Sequence, residues 1–220
     1  DKQMRSDLRI IAVGGRTGRD GLKGATFSSM ALDTESHEDD QQAVQIGNPI
    51  EEKKAADFVL DARQRGLVIF ITDCGAGGFS SAAGEMLSEV GGNLYLERAP
   101  LKEPGMTSWE IFLSESQERM VLAVEESALP QLRELAQTYE TELTEIGESD
   151  HSGLLKIWHD GELVCELDNS RLHDAPVRHM RSEFIPGVSK ADMDWVVGDL
   201  AADLHEVLGD FAICSREPII

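Results

Sequence analysis

Apolar residues fall into short runs broken by glycines or polar stretches, and the spacing inside the runs switches between strand-like and helix-like. Leu8 to Val13 is nearly continuous and stops at Gly14-Gly15, which predicts a buried strand entering a glycine-rich loop. Ala43 to Ile46 predicts a brief strand ending at Gly47-Asn48-Pro49. From Glu51 to Arg65 the apolar positions Ala55, Phe58, Val59 and Ala62 keep helical spacing, with acidic residues at the start and Gly66 at the end. Leu67 to Ile71 is the next apolar run, and it predicts the central strand of a sheet. A helix is predicted from about Ser80 to Val90, closed by Gly91-Gly92. Strands are expected at Leu94–Glu97, Trp109–Leu113 and Met120–Val124, and a helix near Leu129–Tyr139 with Leu132, Leu135 and Ala136 inside. His159-Asp160-Gly161 between Leu154–Trp158 and Glu162–Glu166 predicts a hairpin.

Asp168 to Pro186 is polar and irregular and reads as a linker. Lys190 to Leu208 returns to helical spacing, with Met193, Val197, Leu200, Leu204 and Leu208 as its stripe. Strands interleaved with helices imply an α/β layered fold, a mixed β-sheet packed with helices. The expected organisation is a lobe over 1–167, a linker over 168–189 and a helical connector over 190–220. A chain that opens in a strand and closes on Pro218-Ile219-Ile220 reads as a piece of something larger.

Charge narrows the function classes. The 220 residues carry 41 acidic against 20 basic side chains, a formal charge of −21. That field repels phosphodiester backbones and anionic membranes, which argues against a general nucleic-acid or membrane-surface binder. A phosphate-bearing ligand would have to be held by backbone amides, a few arginines or a divalent metal. No apolar run approaches the roughly 18 to 20 residues that span a bilayer. Cys74, Cys165 and Cys214 are odd in number and far apart, which suits reduced thiols and a cytoplasmic location.

Three segments have candidate chemistry. In the glycine-rich loop from Gly14 to Gly24, main-chain N–H groups at Gly15, Arg16, Thr17 and Gly18 could converge on an anion, with Arg16, Arg19 and Lys23 adding charge. It matches neither the Walker A pattern nor the dinucleotide fingerprint, and a tight structural turn is the other reading. Asp73 stands at the end of what reads as the most buried strand, followed by Cys74-Gly75-Ala76-Gly77-Gly78. A carboxylate there suits Mg²⁺, and a buried charge would call for a cation; capping the next helix is the alternative. Leu113-Ser114-Glu115-Ser116-Gln117-Glu118-Arg119 offers donors and acceptors for ribose hydroxyls or an amide, or is a solvated turn. Gln45 and Asn48 precede a helix as ligand contacts or as turn and cap residues. The histidines show no zinc spacing, and no histidine stands near Cys74 to activate its thiol.

Taken in order, Gly14-Gly15-Arg16-Thr17-Gly18-Arg19-Asp20-Gly21, Val44-Gln45-Ile46-Gly47-Asn48-Pro49 with Glu52-Lys53, Asp73-Cys74-Gly75-Ala76-Gly77-Gly78 and Leu113 to Met120 resemble the phosphoribosylformylglycinamidine synthase family. The likeness runs from about Leu8 to Val124, is weaker across the hairpin and linker, and resumes at Cys214 to Ile220. It implies the C-terminal lobe of the first of two similar halves, with a fold like that of aminoimidazole ribonucleotide synthetase. The reaction it implies is ATP-dependent conversion of formylglycinamide ribonucleotide to the amidine, with ammonia delivered from glutamine by a glutaminase domain or subunit. By the same resemblance Gln45, Glu115, Ser116 and Gln117 bind substrate and Asp73 binds Mg²⁺. The catalytic histidine and the ATP contacts would lie in lobes outside this chain, leaving the chain inactive alone. Another member of the same ATP-binding superfamily, or a non-catalytic acidic interaction module, is the alternative.

Overall fold

Seven strands form one mixed sheet in the order β2-β4-β1-β5-β3-β6-β7, in a computed structural model that describes residues 4–22, 47–173 and 198–209. The strands are β1 (Arg9–Gly14), β2 (Phe70–Asp73), β3 (Gly92–Tyr95), β4 (Arg119–Val124), β5 (Leu143–Ser149), β6 (Leu154–His159) and β7 (Glu162–Asp168). Every neighbouring pair is antiparallel except β3 and β6. The helices are α1 (Pro49–Gln64), α2 (Gly78–Leu87), α3 (Ser108–Leu113), α4 (Leu129–Thr138), α5 (Asn169–His173) and α6 (Leu200–Gly209).

Alternation along β1 and β4 divides the core. Ile10, Ala12, Val121 and Ala123 pack with Phe79, Ala82, Ala83, Met86 and Ile111 from α2 and α3. Ile11, Val13, Leu122 and Val124 pack with Phe58 and Ala62 of α1 and with Leu132, Leu135 and Ala136 of α4. Both strands therefore read as continuous apolar runs, because helices cover both of their faces. Leu94, Ile146, Leu155 and Ile157 join only the first of these clusters.

Several predicted elements stand as read. Asn48 caps α1, its Oδ1 accepting from the Ile50 and Glu51 amides, and Pro49 occupies the first turn. Gly66 follows at φ +70°, where a helix commonly ends on glycine. Asp160 and Gly161, at φ 52° and 80°, give the hairpin turn that two left-handed residues produce between β6 and β7.

Other elements differ. The run Leu67–Ile71 is not a central strand: β2 begins at Phe70, pairs only with β4, and lies at the edge of the sheet. Its residues are apolar because Ile69 and Phe70 pack into one core cluster and Leu67, Val68 and Ile71 into the other. Trp109–Leu113 is helical. Glu110 Oε2 accepts from the Thr107 amide at 2.7 Å in a capping box, and α3 buries Ile111 while Trp109 is half exposed. Leu96–Arg98 turns into 3₁₀ helix after β3, and α2 ends at Leu87. Within the expected linker, Asp168 closes β7 and Asn169–His173 forms α5.

Two compact units divide the chain, Asp1–Pro176 and Val177–Ile220. The second contains α6, the described part of the predicted helix Lys190–Leu208, and none of its residues is buried. The expected strand Ala43–Ile46 and Gln45 lie outside the described residues, as do Lys23, Cys214 and most of the expected linker.

Candidate functional site

Register brings the separated motifs to one end of the sheet. Gly14, closing β1, is opposite Arg119, opening β4, and Asp73, closing β2, is opposite Met120. The glycine-rich loop, the Asp73 segment and the polar run thus leave three adjacent strand ends together. The N-terminus of α1 joins them where the Asn48 amide donates to Glu118 Oε1 at 2.5 Å.

The polar run is a built turn, not a solvated one. Ser114 and Ser116 are fully buried, Glu115 and Glu118 are half-buried, and Gln117 is exposed. Ser114 Oγ donates to the Gly18 carbonyl at 2.6 Å, and Ser116 Oγ accepts from the Gly18 amide at 2.8 Å. Ser116 also donates to the Asp20 carboxylate, which pairs with Lys102 Nζ at 2.8 Å. Glu115 Oε1 accepts from the Gly77 amide at 3.0 Å, so this carboxylate ties the run to the segment after Asp73.

Arg119 is the hub beneath. Its Nε donates to the Ser116 carbonyl at 2.8 Å, Nη2 to the Ser114 carbonyl, and Nη1 to Thr17 Oγ1 at 2.9 Å. The guanidinium also lies 4.7 Å from the Phe79 ring centre, a cation–π contact. Burial lowers its pKa, opposed in part by the nearby Asp20 carboxylate. Its signal in the sequence is slight, an arginine abutting an apolar strand, and nothing local reveals what it holds.

The Gly15, Thr17 and Gly18 amides are engaged within the chain. Gly15 donates to the Glu118 carbonyl and Thr17 to the Pro100 carbonyl, both at 2.8 Å, and Gly18 to Ser116. Arg16 pairs with Glu142, and Arg19 with Glu103 and Glu110. As described, the loop acts as a connector whose glycines admit close neighbours.

A cavity of about 200 Å³ opens at this end, lined by Glu52, Asp73, Cys74, Gly75, Gln117, Glu118, Arg119 and Met120. Asp73 is exposed on an edge strand, so the expectation that a buried charge demands a cation does not hold. What stands is the donor chemistry. Asp73 and Glu52 present hard oxygens around one cavity, while the Glu118 carboxylate is engaged with the Asn48 amide, and Mg²⁺ takes one or two carboxylates with waters and phosphate oxygens completing its shell. Among the described residues no cluster of three or more His, Cys, Asp or Glu is arranged to hold a metal. The residues present fit a metal shared with a phosphorylated ligand, not a closed protein cage. Cys74 is buried, and desolvation pushes its thiol up to about 11, which leaves it protonated and a poor nucleophile. Sequence reading passed over Glu118, Asp20 and Arg119 as individual residues, since their partners are remote along the chain.

Residues 5–160 match the family described as AIR synthase related protein, C-terminal domain. The phosphoribosylformylglycinamidine synthase subunit PurL of Picrophilus torridus is 34% identical over 227 residues, covering 100% of this chain and 30% of that protein. The same subunit from Thermococcus gammatolerans is 40% identical over 171 residues, 77% of this chain and 24% of that protein. Among solved structures, T. maritima PurL complexed with FGAR superposes with a TM-score of 0.71 at 33% identity, over 86% of this chain and 31% of that chain. T. maritima PurL complexed with ATP gives a TM-score of 0.68 at 30% identity, over 86% and 29%. The chain spans about 30% of the length of the first of these curated relatives. Among the described residues no helix is long and apolar enough to cross a membrane.

Proposed function

Because this chain belongs to the AIR synthase related C-terminal domain family, we propose that it is one lobe of a phosphoribosylformylglycinamidine synthase. The observation that carries the reading is the convergence of three motifs and the described part of the fourth, Gly47 to Lys53, on one sheet end, with Asp73 and Gln117 lining the same cavity. The protein as a whole would be a cytoplasmic ATP-dependent ligase of purine biosynthesis. It would convert formylglycinamide ribonucleotide to the amidine, with glutamine-derived ammonia supplied by a glutaminase partner. In this reading the lobe runs through α5, past the expected boundary at 167, and 190–220 is a connector toward a second half.

In this reading Gln117, exposed at the cavity, contacts the ribonucleotide. Gln45, which lies outside the described residues, is a second substrate contact by family resemblance alone. Glu115 and Ser116 belong to the substrate run; Ser116 acts mainly by holding the turn, since its hydroxyl serves Gly18 and Asp20. Gly15, Arg16, Thr17 and Gly18 shape the wall behind that run. Asp73 is the metal carboxylate, and Mg²⁺, when bound, supplies charge neutralisation on phosphoryl oxygens. This lobe binds and orients, and it has no turnover without the remaining lobes.

Gln117→Ala in the full-length protein tests the reading. The KM for formylglycinamide ribonucleotide should rise about tenfold, the loss of one good hydrogen bond to substrate, with the KM for ATP unchanged. An unchanged KM for the ribonucleotide would remove the polar run from the substrate site.

A further inference from the structure

Glu118 stands where three motifs meet. Its backbone is left-handed at φ 59°, an uncommon state for a residue with a side chain. The conformation is held at both ends of the residue. Its carbonyl accepts the Gly15 amide at 2.8 Å, and its carboxylate accepts the Asn48 amide at 2.5 Å.

Glycines of the other two motifs make room for it. A Cβ on Gly14 would sit 2.0 Å from the Glu118 carbonyl oxygen. A Cβ on Gly47 would sit 2.9 Å from Glu118 Oε1, and one on Gly15 2.9 Å from the Gln117 carbonyl oxygen. The backbone approaches at Gly14 and Gly15 leave the run little freedom to shift against the glycine-rich loop, whereas at Gly47 only the Glu118 carboxylate makes the contact. The left-handed residue also separates two neighbours of opposite fate, Gln117 exposed at the cavity and Arg119 buried beneath it.

We propose that Glu118 is a positioning residue that clamps the Gly47-Asn48 corner onto the Glu115–Gln117 run. The clamp holds the Glu115–Gln117 run, with Gln117 exposed at the cavity, in one geometry against the start of α1 before substrate arrives, which lowers the ordering cost of binding. The inference rests on the reading of this end as the ribonucleotide site. Its charge-assisted bond to a main-chain amide is of the stronger kind, and strain at such a residue persists only where its surroundings over-determine it.

The experiment uses the full-length protein with three variants. Glu118→Ala removes the carboxylate and should raise the KM for formylglycinamide ribonucleotide about tenfold, with the KM for ATP and the Tm close to wild type. Glu118→Gln keeps an acceptor oxygen at the same reach and should restore the KM to within about threefold of wild type, a neutral acceptor bonding more weakly than a charged one. Glu118→Gly relieves the left-handed backbone without supplying an acceptor, so it should behave like Glu118→Ala. A wild-type KM in Glu118→Ala, or equal rises in both KM values, overturns the clamp. So does a wild-type KM in Glu118→Gly, which would make backbone geometry alone sufficient. Wild-type protein that fails to form the amidine would instead strike the proposed function, so the two failures are told apart.

Discussion

Nη1 of Arg119 donates to Oγ1 of Thr17 across 2.9 Å and across 102 positions of sequence. This bond joins the glycine-rich loop to the first residue of β4, and the same guanidinium holds two carbonyls of the polar run. A buried cation with satisfied donors is costly to remove, because its partners are left without donors in a low-dielectric site. Arg119→Met should therefore destabilise the lobe by about 3 kcal/mol. Arg119→Lys, which keeps the charge and loses the fork, should cost about half as much. Urea denaturation of the chain reads both, and equal stability of Arg119→Met and wild type would deny the hub.

Gly78 and Gly66 provide a matched pair. Both have positive φ, +56° and +70°, but a Cβ at Gly78 would meet the Ser114 carbonyl oxygen at 2.0 Å while one at Gly66 meets nothing within 4 Å. Gly66→Ala should cost about 1 kcal/mol, the backbone penalty alone. Gly78→Ala should cost about 3 kcal/mol, because the run carrying Ser114 must move as well. Similar losses in the two variants would mean that the close approach at Gly78 carries no energy.

Cys74 should resist alkylation in the folded chain at pH 8 and react once the chain is unfolded in urea. Its thiol is raised from 9.0 to about 11, chiefly by desolvation. The folded state therefore holds its proton more tightly than the unfolded one. The resulting stability is present below about pH 9 and is lost as pH rises through about 11. Peptide mapping after iodoacetamide treatment checks the first point, and rapid labelling of native Cys74 would contradict it.

Asp73→Asn should leave folding almost untouched, within about 0.5 kcal/mol, because the side chain is exposed at the end of an edge strand. In the full-length protein the same change should raise the Mg²⁺ concentration needed for half-maximal turnover about tenfold, since the amide keeps size and loses charge. A capping role would give the reverse, a lower Tm with unchanged Mg²⁺ dependence.

Local order was legible wherever neighbours in sequence decide it. Asn48 and Gly66 bound α1, Asp160-Gly161 turns the hairpin, and the alternation in β1 and β4 places two core faces. The motif segments were also visible as breaks in apolar runs that no helix or strand needs. Trp109–Leu113 misled because aromatic and branched residues favour strands, whereas Thr107 and Glu110, just outside and inside the run, close a capping box.

What only the tertiary structure decided is which backbone edges and which remote groups meet. Side-chain hydrophobicity reports what covers the faces of a strand, and the helices around β2 make it apolar although it lies at the edge. Pairing between strands is made by main-chain groups that every residue has, so strand order leaves no mark in composition. The same holds for Arg119 and Glu118. The partners that give them a role, Thr17, Gly15 and Asn48, are 70 or more positions away, and the register of β1 against β4, with α1 packed on both strands, brings them within hydrogen-bonding distance.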